Sequence, residues 1–221
     1  KIRKDSMTER PSEHFDVVVV GGGPRAVALI ERLTARLTEQ ARLTKCSDPA
    51  TTKPAKPIKP TKPAKDSTAD TGNIGTATAG STRERPEKPL VRVAVVDAVE
   101  VGPGATWRTD QTGQFLNNTP ISETTLYPDE STPIDGPRGG GPTLVEWVRE
   151  VAERGTHELP WVVEEARGLT PDSFSSRRLQ GVYYAEQLAR AEAAGFVSVE
   201  RVIGVAQKIE GDGAGTVRGH L

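Results

Sequence analysis

Six consecutive residues, Gly21-Gly22-Gly23-Pro24-Arg25-Ala26, have types and spacing suited to holding phosphate. They fit the pattern G-x-G-x-x-A. Gly21 permits a tight turn, Gly23 lets the backbone approach a pyrophosphate, and the small Ala26 allows close packing of helix on strand. A helix opening at this turn offers backbone N–H groups and the positive end of its dipole to an anion. A second chemical position is Asp97, at the carboxyl end of Val91-Arg92-Val93-Ala94-Val95-Val96-Asp97. A carboxylate there accepts from a ribose hydroxyl and disfavours a 2′-phosphate, because two anions would meet. The plainer readings are a structural glycine turn and, for Asp97, a solvated strand end or helix cap.

These residues need elements to position them. Phe15-Asp16-Val17-Val18-Val19-Val20 is a β-branched run suited to a strand covered on both faces. Ala26, Ile30, Leu33 and Leu37 recur at helical steps and predict one buried helix face after the turn. Pro24 sits at the helix start, where its missing N–H removes no intrahelical bond. Val91–Asp97 supplies the second parallel strand. Asp97 lies 76 residues beyond Gly21, against about 20 in the usual pattern. The excess is explained by residues 45–89, a 45-residue segment with seven Pro, seven Lys and no aromatic residue. It cannot bury enough apolar surface to offset chain ordering, so it reads as a disordered surface insertion. Lys53, Lys56, Lys59, Lys62 and Lys65 recur every third residue, as do Pro54, Pro57, Pro60 and Pro63. In a polyproline II helix each set forms a stripe. We read this as solvated chain in preference to an arm for an acidic partner.

Gly102-Pro103-Gly104-Ala105-Thr106-Trp107-Arg108 and Phe115-Leu116-Asn117-Asn118-Thr119-Pro120 follow the second strand. With Gly21–Ala26 they resemble a bacterial FAD–NAD(P)-binding flavoprotein family related to the N-hydroxylating and flavin-containing monooxygenases. Thr143–Val148, Arg177–Tyr183 and Val197–Glu200 share the resemblance. It implies a Rossmann-like α/β domain with a parallel sheet. It also implies FAD bound in extended form, with its pyrophosphate at Gly21, Gly22, Gly23, Pro24, Arg25 and Ala26 and its ribose at Asp97. Trp107, Arg108 and Asn117 then lie toward the flavin. Arg108 is expected to neutralise phosphate or substrate charge, and Asn117 to bond a ring or ribityl edge. The plainer alternatives are a surface Arg beside Trp and ordinary Leu-Asn-Asn turn chemistry. For Arg178, a surface ion pair is the preferred role over contact with the cofactor.

Thr143 and Glu146 form a capping box ahead of an inward face of Leu144, Trp147, Val148 and Val151. A further helix is predicted from about Arg177 to Ala194, ended by Gly195. Phe196–Ile209 reads as strand broken at Gly204, and Glu210–Gly215 as a turn between antiparallel strands. The expected division is a flexible tail over 1–14 and one incomplete domain over 15–221, interrupted at 45–89. No second G-x-G-x-x-G follows, and the chain stops at Leu221. It is therefore expected to be the N-terminal portion of a larger protein, or a truncated gene product. It is expected to be the FAD-binding part of a flavin-dependent oxidoreductase related to the monooxygenases, with NAD(P)H a co-substrate of the longer protein. A nicotinamide-only dehydrogenase domain and a non-catalytic nucleotide- or partner-binding module are the alternatives.

Composition narrows the field. Lys and Arg number 29, Asp and Glu 30, for a net charge of -1. That balance argues against a nucleic-acid-binding surface or attraction to anionic membranes. One Cys excludes an intrachain disulfide, and three scattered His show no metal-ligand spacing. No apolar stretch reaches membrane-spanning length, and the expected location is the cytoplasm. Substrate and oligomeric state leave no mark in these residues.

Overall fold

The structure, a computed structural model, describes residues 14–46, 86–211, 213 and 217–220. The tail up to residue 13 and most of the Lys/Pro-rich segment, including its lysine stripe, lie outside the described residues. Strand β1 (Val17–Val20) runs through the glycine turn into helix α1 (Pro24–Cys46), which continues two residues into the segment read as an insertion. Strand β2 (Val91–Asp97) lies parallel to β1, with Val17 opposite Val93 and Val20 opposite Val96.

Three helices separate β2 from strand β3 (Val197–Ile203): α2 (Leu144–Arg154), α3 (Pro160–Arg167) and α4 (Arg177–Ala193). β3 pairs parallel with β2, giving a sheet of order β1-β2-β3. β4 (Lys208–Gly211) and β5 (Val217–His220) form an antiparallel hairpin. The break at Gly204 and the parallel order match the expectations from sequence. β4 takes in Glu210 and Gly211, expected in the turn, and most of the remaining turn residues lie outside the described residues.

Two apolar clusters hold the elements together, and α4 belongs to both. Val93, Val95 and Val197 of the sheet pack on Ala26, Val27 and Ile30 of α1 and on Leu188 and Ala191 of α4. Leu144, Trp147, Val148 and Val151 of α2 meet Val162 and Val163 of α3 and Leu179, Val182 and Tyr183 of α4. Full burial of one such aliphatic side chain contributes about 1.5–3 kcal/mol. The capping box forms as expected, with Thr143 Oγ1 accepting from the Glu146 N–H and Glu146 accepting from the Thr143 N–H.

β1 departs from expectation. Its β-branched run predicts a strand covered on both faces, yet Val18 is 51% and Val20 53% exposed. The physical reason is that α1 and α4 both pack on one side of the sheet, the side of Val19, Val93 and Val95. Val18 and Val20 point to the other side, where no described helix lies.

Candidate functional site

The glycine turn joins β1 to α1 at the carboxyl end of the parallel strands, where α/β sheets bind their ligands. Gly21 has φ +100°, a conformation that L side chains rarely adopt. Its N–H donates to the Val96 carbonyl (2.8 Å), tying the turn to β2. Gly22 is buried, and a Cβ there would come within 2.8 Å of Asp97 Cβ. Gly23 differs, because nothing lies within 4 Å of the position a Cβ would take. The turn therefore packs on one side through Gly22 and leaves Gly23 open to an approaching group. Ala26, 3% exposed, faces the core. Pro24 begins α1, Arg25 is exposed, and the first turn of the helix holds no acidic residue to oppose an anion.

Asp97 is bound on several sides. Its Oδ2 accepts from the Gly22 N–H (2.7 Å), and its Oδ1 from the N–H groups of Val99 (2.8 Å) and Glu100 (3.1 Å). A carboxylate has about four lone-pair sites, so one position on Oδ2 is left. Asp97 thus fixes the glycine turn and the loop that follows β2.

That loop continues over the turn. The Gly102 N–H donates to the Gly22 carbonyl (2.7 Å), and a Cβ on Gly104 would lie 2.9 Å from Gly23 Cα. Trp107 meets Tyr184 edge-on at 5.5 Å, and its Nε1 donates to Asn117 Oδ1 (3.0 Å). Asn117 Nδ2 faces oxygen atoms of Ser175 and Ser176 at 3.1–3.2 Å. Its amide therefore latches the loop to the start of α4. Arg108 lies on the surface in a two-bond pair with Asp110 (2.8 and 2.9 Å), which raises the guanidinium and lowers the carboxyl. Arg178 stacks over Trp161 at 4.0 Å, with Glu165 3.8 Å away.

Gly22 and Asp97 are brought together, with Gly102 and Gly104 of the following loop against Gly22 and Gly23. Trp107 and Asn117 contact α4 and the residues before it, and Arg108 and Arg178 carry local pairs. Sequence reasoning missed a second polar group. His157 Nδ1 accepts from the Leu159 N–H (2.9 Å), which puts the ring proton on Nε2, 2.7 Å from Glu186 Oε1. Trp147 Nε1 donates to the other Glu186 oxygen (2.8 Å). His157 and Glu186 line a recess of about 780 Å3. Their separation by 29 residues left no local signal. Among the described residues no cluster of three or more His, Cys, Asp or Glu is placed to hold a metal. None of the described helices is long and apolar enough to cross a membrane.

Strand, open glycine turn, helix and acid-ended second strand define an α/β unit of the dinucleotide-binding class. The chain belongs to the FAD-NAD(P)-binding family, which matches residues 71–220. The matched span takes in β2 through β5 but not the glycine turn, whose assignment rests on its own geometry. The L-aspartate N-monooxygenase (nitrosuccinate-forming) of Streptomyces cremeus is 38% identical over 115 residues, 49% of this chain and 17% of that protein. The nitrosuccinic acid synthase of Aspergillus oryzae is 28% identical over 186 residues, 81% of this chain and 19% of that protein. Among solved structures, the lysine monooxygenase NbtG of Nocardia farcinica is 16% identical. It covers 89% of this chain and 35% of its own, at a TM-score of 0.39. The chain spans less than a fifth of the length of the curated relatives it matches.

Proposed function

We propose that residues 15–221 are the FAD-holding part of a flavin-dependent N-monooxygenase. The observation that carries this reading is the open Gly23 beside a packed Gly22, at the positive end of α1. In this reading the FAD pyrophosphate lies against Gly21, Gly22 and Gly23, with the N-terminus of α1 and Arg25 offsetting its charge. The lone-pair position left on Asp97 Oδ2 accepts one ribose hydroxyl. Trp107 and the latched Asn117 form a wall toward the flavin, ordering the loop instead of reacting. Bound flavin supplies the electron transfer and oxygen chemistry. The chain's own residues bind and orient it.

NAD(P)H serves as reductant of the longer protein. The substrate class is the amino group of a small amino acid; the relative named L-aspartate N-monooxygenase (nitrosuccinate-forming) supports that assignment, and a second is named nitrosuccinic acid synthase. The test is a competition on the purified chain, with FAD and NAD+ offered together and the bound fraction separated and identified. Retention of FAD with visible flavin absorbance supports the reading. Preferential retention of NAD+, or of neither, overturns it.

A further inference from the structure

Helix α4 carries glycine at Gly181, well inside its 17 residues, where glycine is less favourable than alanine. The structure supplies the reason. A Cβ on Gly181 would overlap the Trp107 carbonyl oxygen, and would lie 3.0 Å from the carbonyl carbon and 3.4 Å from Pro103 Cβ. One turn further along α4, Ala185 meets the same loop. A Cβ on Gly102 (φ +109°) would lie 3.3 Å from Ala185 Cα. The other side of the loop rests on the glycine turn, through the Gly102 N–H on the Gly22 carbonyl and Gly104 against Gly23. Residues 101–107 are thus wedged between α4 and the turn, with no slack at either contact.

We propose that Gly181, with Ala185 one turn on, is the platform that sets how the 101–107 loop seats on the glycine turn and so how a dinucleotide reaches Gly23. These are positioning residues that do not touch the cofactor. The inference rests on the reading of the glycine turn as the FAD site. A methyl group at Gly181 must lift the Trp107 carbonyl, because the helix backbone behind it cannot retreat without breaking its own hydrogen bonds. Lifting Trp107 strains its edge contact with Tyr184 and its bond to Asn117. It also moves Gly104 relative to Gly23, the glycine left open to the ligand. Misplacement on the order of 1 Å at such a distance costs orientation as much as contact.

Gly181→Ala and Ala185→Val, made separately in the full 221-residue chain, test the platform by two readouts. The first is hydrogen exchange of the ligand-free protein. Exchange of the Gly102 and Gly104 amides is expected to speed about tenfold or more in both variants, while the amides of α2 keep their protection. The second is FAD affinity, expected to weaken about tenfold with a changed visible circular dichroism of the bound flavin. Folded variants with unchanged loop exchange overturn the platform. Faster loop exchange with FAD affinity and spectrum unchanged overturns its link to the cofactor site. If the unsubstituted chain binds no FAD, the cofactor reading fails and loop exchange alone decides the platform. Should Gly181→Ala not fold, Ala185→Val decides both points.

Discussion

At Gly22 a side chain has nowhere to go. Asp97 Cβ stands 2.8 Å and Val101 Cα 3.1 Å from the position a Cβ would occupy. Gly22→Ala is therefore expected to destabilise the fold by about 1–3 kcal/mol, the cost of overpacking against backbone, measured by urea unfolding. A loss under about 0.5 kcal/mol would show that the turn can relax. Gly23, its neighbour, faces open space. The pattern G-x-G-x-x-A marks the turn but cannot distinguish these two glycines, because the difference comes from Asp97 and Val101 far away in sequence. Asp97 itself was legible as a strand-ending acid. Its three backbone donors were not, since they depend on how the next loop folds back. The same holds for Asn117, whose amide bonds to Ser175 and Ser176 some 58 residues away.

Helix α1 shows what a segment adds. A strap of chain carrying Gly139 and Gly141 crosses it, held by Arg36 Nη2 on the Asp135 carbonyl (3.0 Å) and Arg32 on the Pro137 carbonyl. A Cβ on Gly139 would overlap Glu31 Oε1, and one on Gly141 the Tyr127 ring. Glu31 is 6% exposed and its Oε2 has no hydrogen-bond partner. Burial pushes its carboxyl above the usual range, opposed by the charge of Arg32 and the N–H of Gly140. A carboxyl raised on folding contributes stability below its unfolded value near 4.5, and that contribution is lost as pH rises through the folded value. Glu31→Gln is accordingly expected to unfold at higher urea than the parent at pH 7, with the advantage gone below pH 4.5. A pH-independent difference would contradict a carboxyl raised by folding. Helices α1, α2 and α4 were legible because their apolar periodicity and caps are local. Helix α3 was not: its eight residues begin at Pro160 without a side-chain cap and carry barely two turns of pattern.

On the scale of the whole molecule, the sheet is finished on one side and bare on the other. The valine runs of β1 and β2 announced strands but not which face the helices would cover, because both helices pack where α4 closes the crossover from β2 to β3. Exposed Val18 and Val20 leave apolar surface on that second side. Exposed Ile203, in register with Asp97, lies on the helix side, and the glycine turn sits at the edge formed by the strand ends. That edge carries the central claim, that the open glycine turn holds the pyrophosphate of FAD. The direct measurement is titration of the 221-residue chain with FAD, followed by flavin fluorescence, alongside Gly23→Ala with its thermal unfolding recorded. Saturable binding to the parent chain is expected. In Gly23→Ala a loss of about tenfold or more in affinity is expected at an unchanged unfolding temperature, since a methyl there meets ligand and no protein atom. No binding by the parent, or equal affinity in the variant, would contradict that claim.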